Sequence, residues 1–140
     1  MNIAIVTPWF GEEAKGGAEQ QARQVALRLA RRGHHVEVLT TNCRSFDDDW
    51  GTPSLPEGSS RENGVTIRRF PTDKRNAREF LRVRDLLLAT PITRRCTTHR
   101  LISPNDERIF IDENINSAAL SEYLREHKER YKAIIFIPYL

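Results

Sequence analysis

Cysteine is nearly absent from this 140-residue chain, which holds Cys43 and Cys96 and no other. Two residues so far apart make no zinc-type spacing and no disulfide scaffold. Reduced thiols in a cytoplasmic protein are therefore the expectation. Long apolar runs are missing too. No stretch approaches the roughly 20 apolar residues that a membrane-spanning helix needs. The N-terminus lacks a basic region, and its apolar run is too short for a secretory signal. Charge of one sign is not in large excess: 22 Lys and Arg against 19 Asp and Glu leave +3. With 39% hydrophobic residues, global disorder is excluded as well. A single domain of this length buries roughly 70% of its unfolded surface.

Two nucleotide-binding signatures are also missing. Gly11 and Gly16 have the glycine spacing of a P-loop, but Gly17-Ala18 stands where a lysine and a hydroxyl are required. No triphosphate–magnesium clamp can form without them. The G-x-G-x-x-G fingerprint is absent, and the second apolar run closes on Leu39-Thr40-Thr41-Asn42 with no acidic residue for a ribose. NAD binding and ATP hydrolysis both lose their motifs, and no metal site is expected.

What is present begins at residue 2. Asn2-Ile3-Ala4-Ile5-Val6-Thr7 is a short apolar run, residues 8–17 form a loop, and residues 18–32 have helical apolar spacing at 18, 22, 25, 26, 29 and 30. Arg28, Arg31 and Arg32 oppose the negative end of the helix dipole, and Gly33 stands at the expected left-handed cap. Strand, glycine loop and helix open a parallel α/β sheet with helices on both faces. Gly16 and Gly17 lead into the helix N-terminus. Backbone N–H groups without side chains there suit a phosphate. Ligands of such sheets bind outside the carboxyl ends of the strands.

The rest of the chain is read in order. Residues 34–41 form a second strand, with His34 and His35 as structural residues at its start. Residues 42–64 read as loop over the ligand crevice, with Asp47, Asp48 and Asp49 as solvated charges. Residues 64–71 form a third strand with one exposed face. Residues 75–90 form a helix whose apolar arc holds Ala77, Phe80, Leu81, Val83, Leu87 and Leu88. Its other face carries Arg75, Arg78 and Arg82. Residues 68–100 hold ten Lys and Arg against three Asp and Glu, with Arg94, Arg95 and Arg100 in the patch. A solvated basic face competes with contact to an anionic membrane or a phosphate-bearing acceptor. No nucleic-acid motif or aromatic interleaving accompanies it. Glu107–Ile111 reads as a short strand or an irregular connection. A helix follows from Ser117, an N-cap, to about Arg130. Residues 133–137 read as a buried parallel strand. Because the chain stops on leaving that strand, the domain is expected to be incomplete.

Val6-Thr7-Pro8-Trp9-Phe10, Lys15-Gly16-Gly17-Ala18-Glu19 and Arg32-Gly33-His34-His35-Val36-Glu37-Val38-Leu39-Thr40 together resemble the start of a GT-B glycosyltransferase, closest to the large retaining family 4. The resemblance covers the first third of the chain and continues only in element order. It implies a Rossmann-like N-terminal, acceptor-side domain, with a donor-binding C-terminal domain carrying E-x7-E elsewhere. It also implies transfer of a sugar from a nucleotide sugar to a bacterial glycan or lipid-linked acceptor, with the fragment alone inactive. The enzyme would be cytoplasmic or peripheral at the inner membrane face. Gly16 and Gly17 would lie near the donor diphosphate, and Trp9 and Tyr139 are candidates for the acceptor crevice. Relatives carry histidines near the end of the strand at 133–137. Here the run is Ile135-Phe136-Ile137-Pro138-Tyr139, so no catalytic residue is assigned, and nothing places His99 in the crevice. Two other readings stand beside this one: a free-standing module that binds a phosphorylated ligand, and a basic membrane-surface module.

Overall fold

The apolar run at the N-terminus becomes the centre of the sheet. The structure, a computed structural model, describes residues 1–45, 48–89 and 102–137. Strand β1 (Asn2–Val6) lies between β2 (His35–Thr41) and β5 (Ala133–Phe136), parallel to both. Strand β4 (Val65–Phe70) runs parallel on the far side of β2, and β3 (Gly58–Glu62) closes that edge antiparallel to β4. The order is β3-β4-β2-β1-β5. The chain builds outward from β1 through β2 to β4, then returns to the other side of β1. This reversal makes a topological switch point at the carboxyl ends of β1 and β5.

Helices α1 (Gly17–Arg31) and α4 (Ala118–His127) cover opposite faces. Ala22 and Ala26 of α1 pack with Ile5, Val36, Val38, Val65 and Ile67. Ala119, Leu120, Tyr123 and Leu124 of α4 pack with Ala4, Leu39 and Phe70. The fold is thus α/β, as the apolar patterning predicts. Helix α1 ends as expected: Gly33 has φ +80°, its N–H donates to Ala30 C=O at 3.0 Å, and the His34 N–H reaches Leu29 C=O at 3.2 Å. This pair of bonds satisfies carbonyls that the last turn leaves open.

Three sequence expectations are corrected. Residues 42–64 are not all loop, because β3 forms a hairpin with β4 around Asn63-Gly64. Both turn residues have positive φ, 50° and 82°, the mirror-type turn that Asn-Gly favours between strands. Every β3 residue is exposed, so no apolar alternation marks it. Residues 107–111 are not a strand but part of helix α3 (Pro104–Asp112). Ser103 caps it by accepting from the Asp106 N–H at 3.1 Å, with Pro104 in the first turn. Strand β5 is parallel but not buried. It has no second neighbour among the described residues, and Phe136 is 61% exposed.

The chain divides into two compact units, one made by Met1–Asp73 and Ser117–Leu140 and the other by Lys74–Asn116. Within it, α2 (Ala77–Ala89) and α3 are joined by Phe80 stacked on Phe110, centroids 5.3 Å apart, and by Arg82 bonded to Asp106 at 2.7 Å. Phe80 and Val83 are buried as the helical spacing predicts, whereas Leu81 and Leu88 of the same apolar arc are exposed.

Candidate functional site

The glycine loop leaves β1 at the switch point, and its path is set by the neighbouring strand. The Pro8 carbonyl accepts from three donors at the end of β2: Thr41 Oγ1 at 2.7 Å, Thr40 Oγ1 at 3.1 Å and the Thr41 N–H at 3.2 Å. The two threonines sit where a dinucleotide fold would need an acidic residue. Here they anchor the loop instead. Asn42, fully buried, extends the same edge: its N–H donates to Phe70 C=O at 2.8 Å, and its Oδ1 accepts from the Thr72 N–H at 3.2 Å. The loop after β2 folds back onto this floor, because the Asn42 carbonyl accepts the N–H groups of Ser54 and Leu55.

Trp9 has 0% exposure and packs on Trp50, centroids 5.5 Å apart at 50°. It therefore stitches the two loops together and does not line an open crevice, a correction to its expected role. Burying both indoles removes a large apolar surface from water. The Arg44–Glu13 ion pair at 2.7 Å ties the same loops at the surface. Asp48 and Asp49 act as turn caps: Asp48 Oδ2 accepts from the Arg44 N–H and the Ser54 hydroxyl, and Asp49 accepts from Gly51 and Thr52. Cys43 is buried beneath them. Burial raises its thiol pKa against the opposing hydrogen bonds of Thr72 and Thr41. A protonated, inaccessible thiol is not a nucleophile.

The two glycines have different physical reasons. Gly16 is the residue before α1, with φ −64° and ψ 162°, a conformation open to any residue. A Cβ there would lie 2.0 Å from Oε2 of Glu19, so the absent side chain makes room for that carboxylate. Glu19 is 4% exposed, and its Oε2 has no hydrogen-bond partner among the described residues. It sits in the first turn of α1, where the helix dipole favours a negative charge. Gly17 is exposed, and a Cβ on it would meet nothing within 4 Å. Gly16 gives α1 no side-chain cap hydrogen bond. Gly17 is thus the glycine with open space around it, and Gly16 is the glycine that seats Glu19.

The three arginines expected on the basic helix have different surroundings, and Arg75 precedes the helix. Arg82 is bonded to Glu79 at 3.0 Å and Asp106 at 2.7 Å. Arg75 lies over the Phe80 ring at 4.5 Å, and Arg78 is exposed. Among the described residues, no helix is long and apolar enough to cross a membrane. Tyr139 lies outside the described residues, as do Arg94, Arg95, Cys96, His99 and Arg100. Sequence reasoning missed Glu19 as a buried acid, although its place three residues after Gly16 is a position from which a side chain folds back over a helix start. No family model, curated protein or solved structure matches the chain.

Proposed function

We propose that this chain is the Rossmann-like, acceptor-side domain of a GT-B glycosyltransferase that uses a nucleotide sugar and a glycan or lipid-linked acceptor. The observation that carries the reading is the uncapped start of α1 at the switch point, reached through a Gly16-Gly17 pair inside a motif of family-4 type. An exposed glycine at a helix start without a side-chain cap suits a diphosphate, whose charge a helix N-terminus stabilises. Threonines in place of an acidic ribose partner, and no lysine for a triphosphate, favour this ligand over NAD or ATP. The bound glycosyl donor would be shared with a second domain carrying E-x7-E. This chain would contribute the acceptor-facing wall and the loop that meets the diphosphate.

The test is sugar transfer from radiolabelled nucleotide sugars, comparing the 140-residue chain with the product of the whole gene that encodes it. The expected result is transfer by the whole product alone. Transfer by the 140 residues by themselves would reject the division of labour, and a whole product inert to every nucleotide sugar would reject the transferase reading. A free-standing module that binds a phosphorylated ligand at the same loop is the second reading, favoured by the same helix start. It predicts binding of inorganic pyrophosphate by the isolated chain, lost in Gly17→Asp. A basic membrane-surface role rests on Arg78 and the sequence-level charge of residues 68–100.

A further inference from the structure

At the amino ends of the strands, away from the glycine loop, the sheet frames a second opening. Its cavity measures about 400 Å³, within the size range of small-molecule sites. Arg61 reaches it from β3, Arg68 from β4 and Arg130 from the turn before β5, with His35 and Glu37 of β2 and Tyr131 completing the wall. Three arginines and one carboxylate therefore line one opening. That carboxylate is already engaged: Arg68 Nε donates to Glu37 Oε1 at 2.8 Å, and the Tyr131 hydroxyl donates to Oε2 at 2.6 Å. Arg68 is held further by the Tyr123 ring, 4.7 Å below its guanidinium carbon. Arg61 and Arg130 have no carboxylate partner among the described residues.

We propose that this pocket binds the phosphomonoester of a small hydroxylated molecule, a sugar phosphate in its chemistry. Two uncompensated guanidinium groups match the double charge of a phosphomonoester, and each offers a planar fork to its oxygens. The paired Glu37–Arg68 floor cancels its own charge and is fixed in place by Tyr131 and Tyr123, so the excess positive charge belongs to the rim. Asn2 and Thr66 also line the cavity: the Asn2 amide nitrogen donates to the Arg130 carbonyl at 3.2 Å, which leaves its Oδ1 and the Thr66 hydroxyl to meet hydroxyl groups. The site is independent of the glycine loop and of the transferase reading. The hairpin that carries Arg61 and the turn that carries Arg130 come from distant parts of the sequence, brought together by β4 pairing with β2 and by β5 pairing with β1.

The experiment is a titration of the isotope-labelled chain with glucose 6-phosphate, with inorganic phosphate and glucose as separate arms, read by amide chemical shifts at constant ionic strength. Glucose 6-phosphate is expected to move the amides of Arg61, Thr66 and Tyr131 saturably, inorganic phosphate to move the same amides more weakly, and glucose to leave them in place. The Arg61→Ser/Arg130→Ser double variant alters only exposed side chains, and it is expected to weaken glucose 6-phosphate binding by at least about tenfold, in line with lost charge-assisted contacts. No saturable shift at these amides, shifts confined to residues 16–18, or an affinity unchanged in the double variant would each overturn the proposal.

Discussion

Replacing Tyr131 by Phe removes one oxygen and tests the polar floor between β2, β4 and α4. The lost bond is short, 2.6 Å from the phenol to Glu37 Oε2, and charge-assisted. Such bonds contribute about 1.5–3 kcal/mol when shielded. Tyr131 is half-buried and Glu37 is partly open, so water replaces part of the loss and about 1–1.5 kcal/mol remains. For a domain of this size that lowers Tm by about 3–6 °C. The pH dependence gives a sharper check. Burial raises the Tyr131 phenol above its ordinary value, and the hydrogen bond to Glu37 raises it further. A folded-state pKa above the unfolded one means the protonated phenol stabilises the fold. That contribution is complete below the unfolded value of about 10 and is lost as pH rises from there toward the folded value, by at most about 1.4 kcal/mol per pH unit. Partial exposure makes the slope shallower. Urea unfolding at pH 8 and pH 11 should show the gap between native chain and Tyr131→Phe narrowing as pH rises. The reasoning fails if the two unfold alike at pH 8, or if their gap is as wide at pH 11. A cycle with Glu37→Gln should assign the coupling to this pair.

Trp9→Ala opens a fully buried site against Trp50 and should cost about 3–5 kcal/mol, read as a large fall in the urea midpoint; a change below 1 kcal/mol would mean the indole is not packed as described. Gly17→Asp places a carboxylate at the start of α1 in open space. It should leave Tm within about 1 °C yet lower sugar transfer by the whole gene product by more than about tenfold, the equivalent of about 1.4 kcal/mol. Ser103→Ala removes the cap of α3 and should cost about 1 kcal/mol, visible in amide exchange of Pro104–Asp112 before any global change. Replacing Arg75, Arg78 and Arg82 by Glu should abolish salt-sensitive binding to anionic vesicles if the basic helix meets a membrane. Undiminished binding would remove that role.

The central part of the fold was legible because local and global signals agree there. Ile3 to Ile5 are apolar without alternation because strands flank β1 on both sides and helices cover both faces. Gly33 announced the end of α1 because a left-handed turn excludes most side chains. The hairpin was missed for the opposite reason. Gly58-Ser59-Ser60-Arg61-Glu62 buries nothing, so no hydrophobic period marks it. Its signal was Asn63-Gly64 alone, read as the tail of a loop. In α3, Ser103-Pro104 and Asp106-Glu107 are a helix start, but the apolar Ile109-Phe110-Ile111 drew attention as a strand. At the candidate site, the sequence showed a glycine pair but not which glycine does what. That distinction depends on where the Glu19 carboxylate folds, which is a matter of packing and not of spacing. The roles of Trp9 and Trp50 depended on a contact between loops 41 residues apart in the chain, which no local pattern encodes.

The paired tryptophans have a spectroscopic consequence. Trp9 and Trp50 are the chain's whole complement of that residue, and they share one location. Intrinsic fluorescence excited at the indole band therefore reports one place, the junction of the loops after β1 and β2, and not the molecule as an average. At 5.5 Å and an oblique angle the two chromophores are close enough to couple electronically. The near-ultraviolet circular dichroism of the folded chain then carries a built-in gauge of whether these loops are latched together, and it needs no attached label.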